Sequence, residues 1–174
     1  MQREKSFVIK ELAIDEYKFK GYLSTYGNED RVGDIIEKGA FDKSINERKI
    51  VPMLFNHNRD IVIGKMTLTS DDKGLYVEAE LSKNITESVK VYELLKMGAL
   101  TDMSIGMSVI DYKYVDDKYP SSGWIIKEAE VWEGSVVTIP ANTQAKIEHV
   151  KGMKSNDDYK KLLIETIKKL GGKN

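Results

Sequence analysis

The sequence predicts an α+β fold that is mainly antiparallel β-structure with a few surrounding helices. Three observations support this prediction: apolar and polar residues alternate in several runs before residue 82, a helical run follows, and alternation returns after it. At 174 residues, with 41% hydrophobic residues and 3 prolines, the chain has the composition of one globular domain with a substantial core.

The N-terminal part reads as two strands and one short helix. Residues 6–12 and 16–24 read as strands, and in the second the apolar residues alternate with polar neighbours, which is typical of a strand with one buried face. Residues 41–47 predict a short helix after a glycine-containing turn.

Three more strands are predicted before the central helix. The apolar run 51–56 ends at His57, and Pro52 near its start suits a strand end or an edge strand. Residues 61–69 and 75–81 predict a hairpin, because the residues between them are rich in Asp and Gly.

The clearest helix follows this hairpin. Asn84 can cap it, Glu87 is placed as in a capping box, and Gly98 is placed to end it. Its predicted apolar side comprises Ile85, Val89, Leu94 and Leu95. Beyond the helix, strands are predicted at 107–115, 124–131 and 135–139.

A second amphipathic helix is predicted near the C-terminus. Apolar residues recur at helical spacing within residues 157–170, and two glycines follow. We therefore divide the chain into a main domain, residues 1–155, and a C-terminal helix, residues 156–174. This helix either belongs to the domain or begins a tail meant for a partner.

Charge and composition argue against several functions. Lys and Arg total 27 against 28 Asp and Glu, so the net charge of -1 gives no field that would concentrate the protein on nucleic acid or an acidic membrane. The sequence has no apolar run long enough for a signal peptide or a membrane span, so we expect a cytoplasmic protein. It has no cysteine, so a nucleophile would be an oxygen.

The chain has two histidines, so only His57 and His149 can supply an imidazole base. His57 follows an apolar run, where it is either a structural histidine bonded to a backbone carbonyl or a general base. His149 lies among charged residues and reads as a surface side chain. A metal site on His57 and Asp60 matches no usual ligand spacing, so we expect no metal and no cofactor.

Residues 101–108 read as a junction between the helix and the next strand, and they contain Ser104 and Ser108. Ser104 lacks the glycine two positions earlier that a nucleophile elbow needs, and a serine in this setting is most often a capping or turn residue. Gly106 permits the close approach of another backbone, as a peptide substrate or an oxyanion requires. Both interpretations of Ser104 stay open on this evidence.

Three acids, Glu128, Glu130 and Glu133, lie in or beside one predicted strand. Most acids in such a strand form its solvated face. Glu133 lies between Trp132 and an apolar run, so we expect it to be buried, and a buried carboxylate needs a partner. A histidine would satisfy it and would be oriented by it, as in a catalytic triad.

Four groups of residues follow one another along the chain and carry a family resemblance. They are Phe19–Tyr22 with residues 34–41, Val51–His57 with Ile63 and Gly64, Met103–Met107, and Glu133–Asn142. In this order they resemble the prohead (capsid maturation) serine proteases of tailed phages, which are related in fold to the herpesvirus assemblins. The resemblance covers roughly residues 17–150.

The resemblance implies a serine endopeptidase that processes scaffold or capsid protein, and itself, during procapsid maturation of a bacteriophage or prophage. By position, Ser104 matches the nucleophile and His57 the base. Glu133 matches the acid, with Glu130 as the alternative, because this chain has Glu-Gly-Ser where many relatives have Glu-Val-Ser. Oxyanion donors are expected near Ile105 and Gly106, or from an arginine.

The resemblance also implies a closed or nearly closed β-barrel-like core, with residues 1–155 as the protease domain and residues 156–174 as part of it or as the start of a scaffold-like tail. The implied partner is the capsid or scaffold protein, inside the assembling procapsid in the host bacterial cytoplasm, and a homodimer is plausible. Two alternatives stay open: a non-catalytic capsid-assembly or scaffold-binding module, and a metal-dependent hydrolase built on His57.

Overall fold

The computed structural model describes residues 17–150 of the chain. The strands within this range are β1 (Lys18–Thr25), β2 (Ile35–Ile36), β3 (Ile50–Phe55), β4 (Asn58–Ser70), β5 (Gly74–Leu81), β6 (Asp102–Tyr114), β7 (Trp124–Val137) and β8 (Ile147–Val150). The helices are α1 (Asp42–Glu47) and α2 (Thr86–Lys96), and a single turn of 3-10 helix lies at Pro120–Ser122.

The strands form one mixed sheet in which β7 has the most neighbours. The strand order is β2-β7-β3-β4-β5-β1-β8, and β6 pairs with β7 outside this path. β6 runs antiparallel along the whole of β7, while β2 and β3 pair parallel with successive parts of β7. The other strand pairs are antiparallel. The position of every strand near β7 therefore depends on this one long strand.

The sheet is open, which corrects the expectation of a closed or nearly closed barrel. By strand pairing, β2 and β8 end the main path. A single antiparallel bridge, Asp102 with Lys146, links the start of β6 to the residues before β8, with a bond from Met103 N to Ala145 O of 3.0 Å beside it. This pairing does not continue along β6 as a ladder. The sheet-rich architecture with two helices agrees with the α+β class.

Several predicted elements are confirmed. The first described strand, the short helix, the strand before His57 and the hairpin at 61–81 correspond to β1, α1, β3 and β4–β5. Pro52 fits because β3 pairs with β7 only from Met53 onward, so its missing N–H removes no bond of that ladder. The central helix also ends as expected, with Gly98 at a φ of +75° after the last turn.

The predicted start of the central helix was wrong, and its predicted apolar side was confirmed only in part: Leu95 is buried and Leu94 packs against the core, but Ile85 and Val89 are not among the buried residues. Ile85 is the N-cap residue and no side chain caps the helix, so Asn84 has no capping role. The buried side comprises Ser88, Val91, Tyr92 and Leu95, which repeat at three- and four-residue spacing. Tyr92 stacks on Tyr17 with ring centroids 4.0 Å apart, so this tyrosine lies on the buried side although it was not among the predicted apolar residues.

Two strand boundaries were also wrong, and one strand was not predicted. Residues 101–108 are not a junction, because β6 already begins at Asp102. β7 is one strand of 14 residues where two strands were predicted. β8 was not predicted at all. The predicted strand at 6–12 and the predicted helix at 157–170 lie outside the described residues.

The core lies on one face of the sheet and is closed by the two helices. Its largest fully buried side chains include Phe19, Leu23, Phe41, Met53, Ile63, Met66, Leu68, Leu75, Tyr92, Leu95, Met103 and Ile126. Because side chains alternate along a strand, the residues between these positions face away from the core. On β3 and β6 those residues include Leu54, Ser104 and Gly106, and they build the site described next.

Candidate active site

A cavity of about 730 Å³ lies on the side of the sheet that faces away from the core. It spans the adjacent strands β6, β7, β3 and β4. Its lining comprises Arg48, Pro52, Leu54, His57, Arg59, Val62, Gly106, Met107, Ser108, Trp132 and Glu133. The predicted base and the predicted acid therefore share one cavity.

His57 is presented by a tight turn between β3 and β4. Asn56 and His57 have φ values of +51° and +58°, and Phe55 pairs directly with Asn58. Two central residues with positive φ are the signature of a type I′ hairpin turn, and Asn and His tolerate this conformation better than most residues. The turn is tied to β7, because Asn56 N donates to Val136 O at 3.0 Å and Asn56 Oδ1 accepts from Thr138 N at 3.1 Å.

Glu133 is 9% exposed and meets His57 directly. His57 Nδ1 and Glu133 Oε1 are 2.6 Å apart. An ionised carboxylate only accepts hydrogen bonds, so this contact needs the proton on Nδ1. The neutral imidazole then has its lone pair on Nε2, which is the arrangement that a general base requires.

A β-bulge brings Glu133 into the cavity. Gly106 pairs with Glu133, but the next residue of β6, Met107, pairs with Val131, so Trp132 has no partner on β6. As a result, two consecutive residues, Trp132 and Glu133, both line the cavity. Bulges commonly re-aim side chains beside functional sites.

Gly106 leaves the space that the Glu133 side chain occupies. A Cβ at position 106 would lie 2.3 Å from Glu133 Oε1 and 2.8 Å from its Cγ. Both distances are far inside van der Waals contact, so any side chain at 106 would displace the carboxylate from His57. Gly106, which the sequence singled out for the close approach of a backbone, thus also leaves room for the Glu133 carboxylate.

Ser135 connects the turn and the acid, and sequence reasoning missed it. Its hydroxyl donates to Glu133 Oε2 at 2.8 Å and accepts from His57 N at 3.1 Å. Ser135 is fully buried. Both oxygens of the carboxylate are therefore hydrogen-bonded, one to the imidazole and one to this hydroxyl. The sequence did contain a signal, since Glu133 and Ser135 are polar residues two apart in an otherwise apolar run and must share a face.

Ser104 lies next to this group but is not bonded to His57. It pairs with Ser135 across β6 and β7, and directly opposed residues have Cβ atoms about 5 Å apart. It is buried, with 7% exposure, and is not part of the cavity lining. Among the hydrogen bonds of residues 17–150, none joins the Ser104 hydroxyl to His57. Ser108 does line the cavity, and its Oγ accepts from Trp132 Nε1 at 2.8 Å.

The remaining candidates lie elsewhere. Glu130 pairs with Ser108 and lines a separate cavity of about 80 Å³, and within the described chain it makes no bond to His57. His149 is in β8, opposite Lys20 of β1. The described residues contain no group of three His, Cys, Asp or Glu residues that could hold a metal ion. Between residues 17 and 150, no helix is long and apolar enough to cross a membrane.

Arg48 stabilises the bulged part of β7. Its Nη2 donates to Val131 O at 2.9 Å and to Trp132 O at 3.2 Å, and its guanidinium carbon lies 6.0 Å from the centre of the Trp132 ring. These carbonyls belong to the stretch of β7 that neither β2 nor β3 reaches. Arg48 therefore supplies the donors that a neighbouring strand would otherwise supply.

Comparison with known proteins identifies similar sequences over most of the chain. The family model described as caudovirus prohead serine protease matches residues 5–161. The prohead protease of Enterobacteria phage HK97 is 35% identical over 178 residues, which cover 92% of this chain and 73% of that protein. The prohead protease of Escherichia phage T5 is 31% identical over 144 residues, which cover 80% of this chain and 66% of that protein. A solved KSHV protease in complex with a hexapeptide phosphonate inhibitor aligns with 86% of this chain at a TM-score of 0.42 and 9% identity.

Replacing Gly106 with alanine is expected to separate His57 from Glu133, because the new Cβ would take the place of the carboxylate. Nitrogen-15 NMR of the imidazoles should then show loss of the hydrogen-bonded Nδ1–H signal of His57, and only one other histidine is present to be told apart. Gly27→Ala is the matched control, since it strains a turn at a φ of +74° but meets no atom within 4 Å. An unchanged His57 signal in Gly106→Ala would contradict the role given to this glycine.

Proposed function

The chain belongs to the family of caudovirus prohead serine proteases, and on that premise we propose that it is an endopeptidase with Ser104 as nucleophile, His57 as general base and Glu133 as the acid. The observation that carries the proposal is the 2.6 Å contact between His57 Nδ1 and Glu133 Oε1. This contact leaves Nε2 to act on a hydroxyl. Ser104 supplies a hydroxyl on the same face of the sheet, one strand away from the acid.

The reaction follows the logic of acyl transfer. His57 Nε2 removes the proton from Ser104 Oγ as the oxygen attacks the peptide carbonyl, and the imidazolium then gives that proton to the leaving amine. Water hydrolyses the acyl-enzyme by the same route. Glu133 holds the ring in the Nδ1–H tautomer and stabilises its positive charge. A modest rotation of the side chains of His57 or Ser104 is needed, as is common without substrate.

Strand geometry narrows the choice of oxyanion donor. Backbone N–H groups in a strand point alternately to its two edges, and Met103 N points away from β7, towards Ala145 O. Ile105 N then points to that same outer edge, while Gly106 N points to β7. Ile105 N–H is therefore the better donor for the developing oxyanion, within the region expected from the sequence.

The proposed substrate is the scaffold or capsid protein of the same phage or prophage, together with the protease chain itself. The names of the family and of the two phage relatives support action in the prohead. The proposed place of action is the interior of the assembling procapsid in the host cytoplasm.

A non-catalytic assembly module is the second candidate. The observation in its favour is that, among the described hydrogen bonds, none connects Ser104 with His57. Such a module would keep the fold and bind scaffold or capsid protein without cleaving it. The two candidates differ in whether a serine is required for processing.

Ser104→Ala is expected to abolish processing of co-expressed scaffold and capsid protein, with a loss on the order of 10³-fold or more, because no other group replaces the nucleophile. The bands of precursor and product on a gel measure this. Ser108→Ala removes the other serine of the same strand face and should lose no more than about tenfold, since it forfeits one hydrogen bond to Trp132. Normal processing by Ser104→Ala would contradict the assignment of Ser104 as nucleophile. Loss of processing in Ser108→Ala alone would assign the nucleophile to Ser108.

Glu133→Gln is expected to lower kcat by about 10²- to 10⁴-fold, because the amide N–H₂ can donate to Nδ1 and favour the wrong tautomer, and the neutral amide does not stabilise the imidazolium charge. Glu130→Gln is the matched change on the same strand and should stay within a few-fold of the parent. Steady-state cleavage of a peptide that spans the mapped processing site compares them. A larger loss in Glu130→Gln than in Glu133→Gln would reverse the choice of acid.

A further inference from the structure

We propose that Ser135 is a positioning residue that fixes the general base and its acid relative to one another, an inference that rests on the proposed function of His57 and Glu133. One hydroxyl makes both connections, since it accepts from His57 N at 3.1 Å and donates to Glu133 Oε2 at 2.8 Å. The oxygen therefore joins the backbone of the base to the side chain of the acid.

Burial makes these two bonds necessary. Ser135 is fully buried and Glu133 is 9% exposed, so neither has bulk water as a ready substitute partner. A buried carboxylate is costly unless its oxygens are bonded, and Ser135 satisfies the oxygen that His57 does not reach. Without this hydroxyl the carboxylate would gain freedom to rotate away from the imidazole.

The turn that carries His57 needs the same hydroxyl. His57 has a φ of +58°, a conformation that few side chains adopt without support from their surroundings. Its backbone N–H is directed at Ser135 Oγ rather than at a backbone carbonyl. The Ser135 hydroxyl therefore stabilises the backbone turn that directs the His57 imidazole towards Glu133.

Ser135 is also placed between the strands that supply the other residues. It pairs with Leu54 of β3 on one side and with Ser104 of β6 on the other. β3 leads directly into the His57 turn, and β6 carries the proposed nucleophile. A residue at this crossing can set the distance between all three groups without touching substrate.

The test compares Ser135→Ala and Ser135→Cys with Ser44→Ala. Ser44 is a matched control because it is also buried and its Oγ accepts from a backbone N–H of the same strand, Val131 N, at 2.9 Å. Amide hydrogen exchange and imidazole NMR are measured in a Ser104→Ala background, so these readouts do not depend on activity. Cleavage kinetics are measured with Ser104 intact.

Both Ser135 variants should speed exchange of the His57 amide and change the His57 Nδ1–H signal, while Ser44→Ala should affect the Val131 amide only. In cleavage, kcat should fall by about tenfold or more with KM little changed, as loss of one hydrogen bond to a charged group predicts.

Cysteine keeps the shape of serine with a much weaker hydrogen bond, so it carries the test if the alanine variant does not fold. Unchanged His57 signals in a folded Ser135 variant, or equal effects of Ser44→Ala, would overturn the proposal. Absence of cleavage by the parent protein would instead count against the proposed function.

The positively charged lining of the cavity supports a second inference, which does not depend on Ser135. Arg48 and Arg59 line it, whereas the cavity lining contains no lysine although lysines greatly outnumber arginines in the chain. The ion pairs described within residues 17–150 use a lysine or His57 as the cation, and none of them involves Arg48 or Arg59. The only carboxylate in the lining, Glu133, is already held by His57 and Ser135.

We infer that this cavity selects an extended peptide with an acidic side chain close to the cleaved bond, which again rests on the proposed function. Arg48 is held by two carbonyl oxygens through Nη2, so its other N–H groups are fixed in direction and remain as donors. Guanidinium groups bind carboxylates through paired hydrogen bonds. The apolar side chains around them, among them Leu54, Val62 and Trp132, suit the neighbouring residues of such a peptide.

The probes are two pools of labelled octapeptides with random apolar and small residues, one pool with a single Glu and the other with Gln in its place. Fluorescence anisotropy with Ser104→Ala protein should show the Glu pool binding about fivefold to tenfold tighter at low salt, with a smaller ratio at high salt. Arg59→Gln should lower this ratio, because it removes one of the two guanidinium groups that line the cavity and leaves Arg48 in place. Arg31→Gln is the matched control, because Arg31 is the other described arginine and lies outside the cavity lining.

Equal binding of the two pools, no measurable binding of the Glu pool, or equal effects of Arg31→Gln and Arg59→Gln would each overturn the inference. Cleavage of scaffold or capsid protein by the parent chain tests the proposed function separately. The two failures are therefore distinguishable.

Discussion

The burial of one carboxylate is the constraint on which the rest of this site depends. Glu133 is 9% exposed, and it is stable away from water because each of its oxygens has a hydrogen-bond donor. The bulge turns the side chain to the cavity side, and Gly106 leaves room for it. Ser135 and His57 complete its hydrogen bonds. A bulge, a glycine and buried polar side chains each weaken a strand when they occur alone. Here they act together to hold the Glu133 carboxylate in place.

The same constraint explains why β7 is central to the fold. This strand supplies the acid and Ser135, and the carbonyl of Val136 and the hydroxyl of Ser135 hold the Asn56–His57 turn. A turn with two non-glycine residues at positive φ is costly by itself, on the order of 1 kcal/mol or more per residue. Two hydrogen bonds to β7 and one to Thr138, which follows the strand, offset that cost. The imidazole is thus positioned by strand pairing, and its accuracy depends on the register of β3 with β7.

The features of the site that could be predicted from the sequence are those that a short stretch of residues determines. Those that depend on the pairing of distant strands could not be predicted. His57 and Glu133 could be singled out because histidines are scarce and a glutamate among apolar residues implies burial. The resemblance to phage prohead proteases added Ser104 and the order of the motifs. The bulge could not be predicted, since it depends on the register of β7 with β6, and two strands were predicted where β7 is one. Ser135 had a visible signal in its spacing from Glu133, but its bond to the His57 backbone crosses 78 positions.

In the proposed mechanism Glu133 is held in a fixed position, whereas His57 or Ser104 moves when substrate binds. The acid is nearly buried and doubly bonded, while the side chain of His57 remains 43% exposed on its cavity side. Orienting the acid and choosing the tautomer are therefore completed during folding, where β7 provides the bonds. What remains for the encounter with substrate is a small movement of His57 or Ser104 towards the other. A peptide that fills the cavity would exclude water from the imidazole and strengthen its contacts with both the hydroxyl and Glu133. Within the described residues the Ser104 hydroxyl makes no hydrogen bond to His57, and in the proposed mechanism this contact forms when the substrate binds.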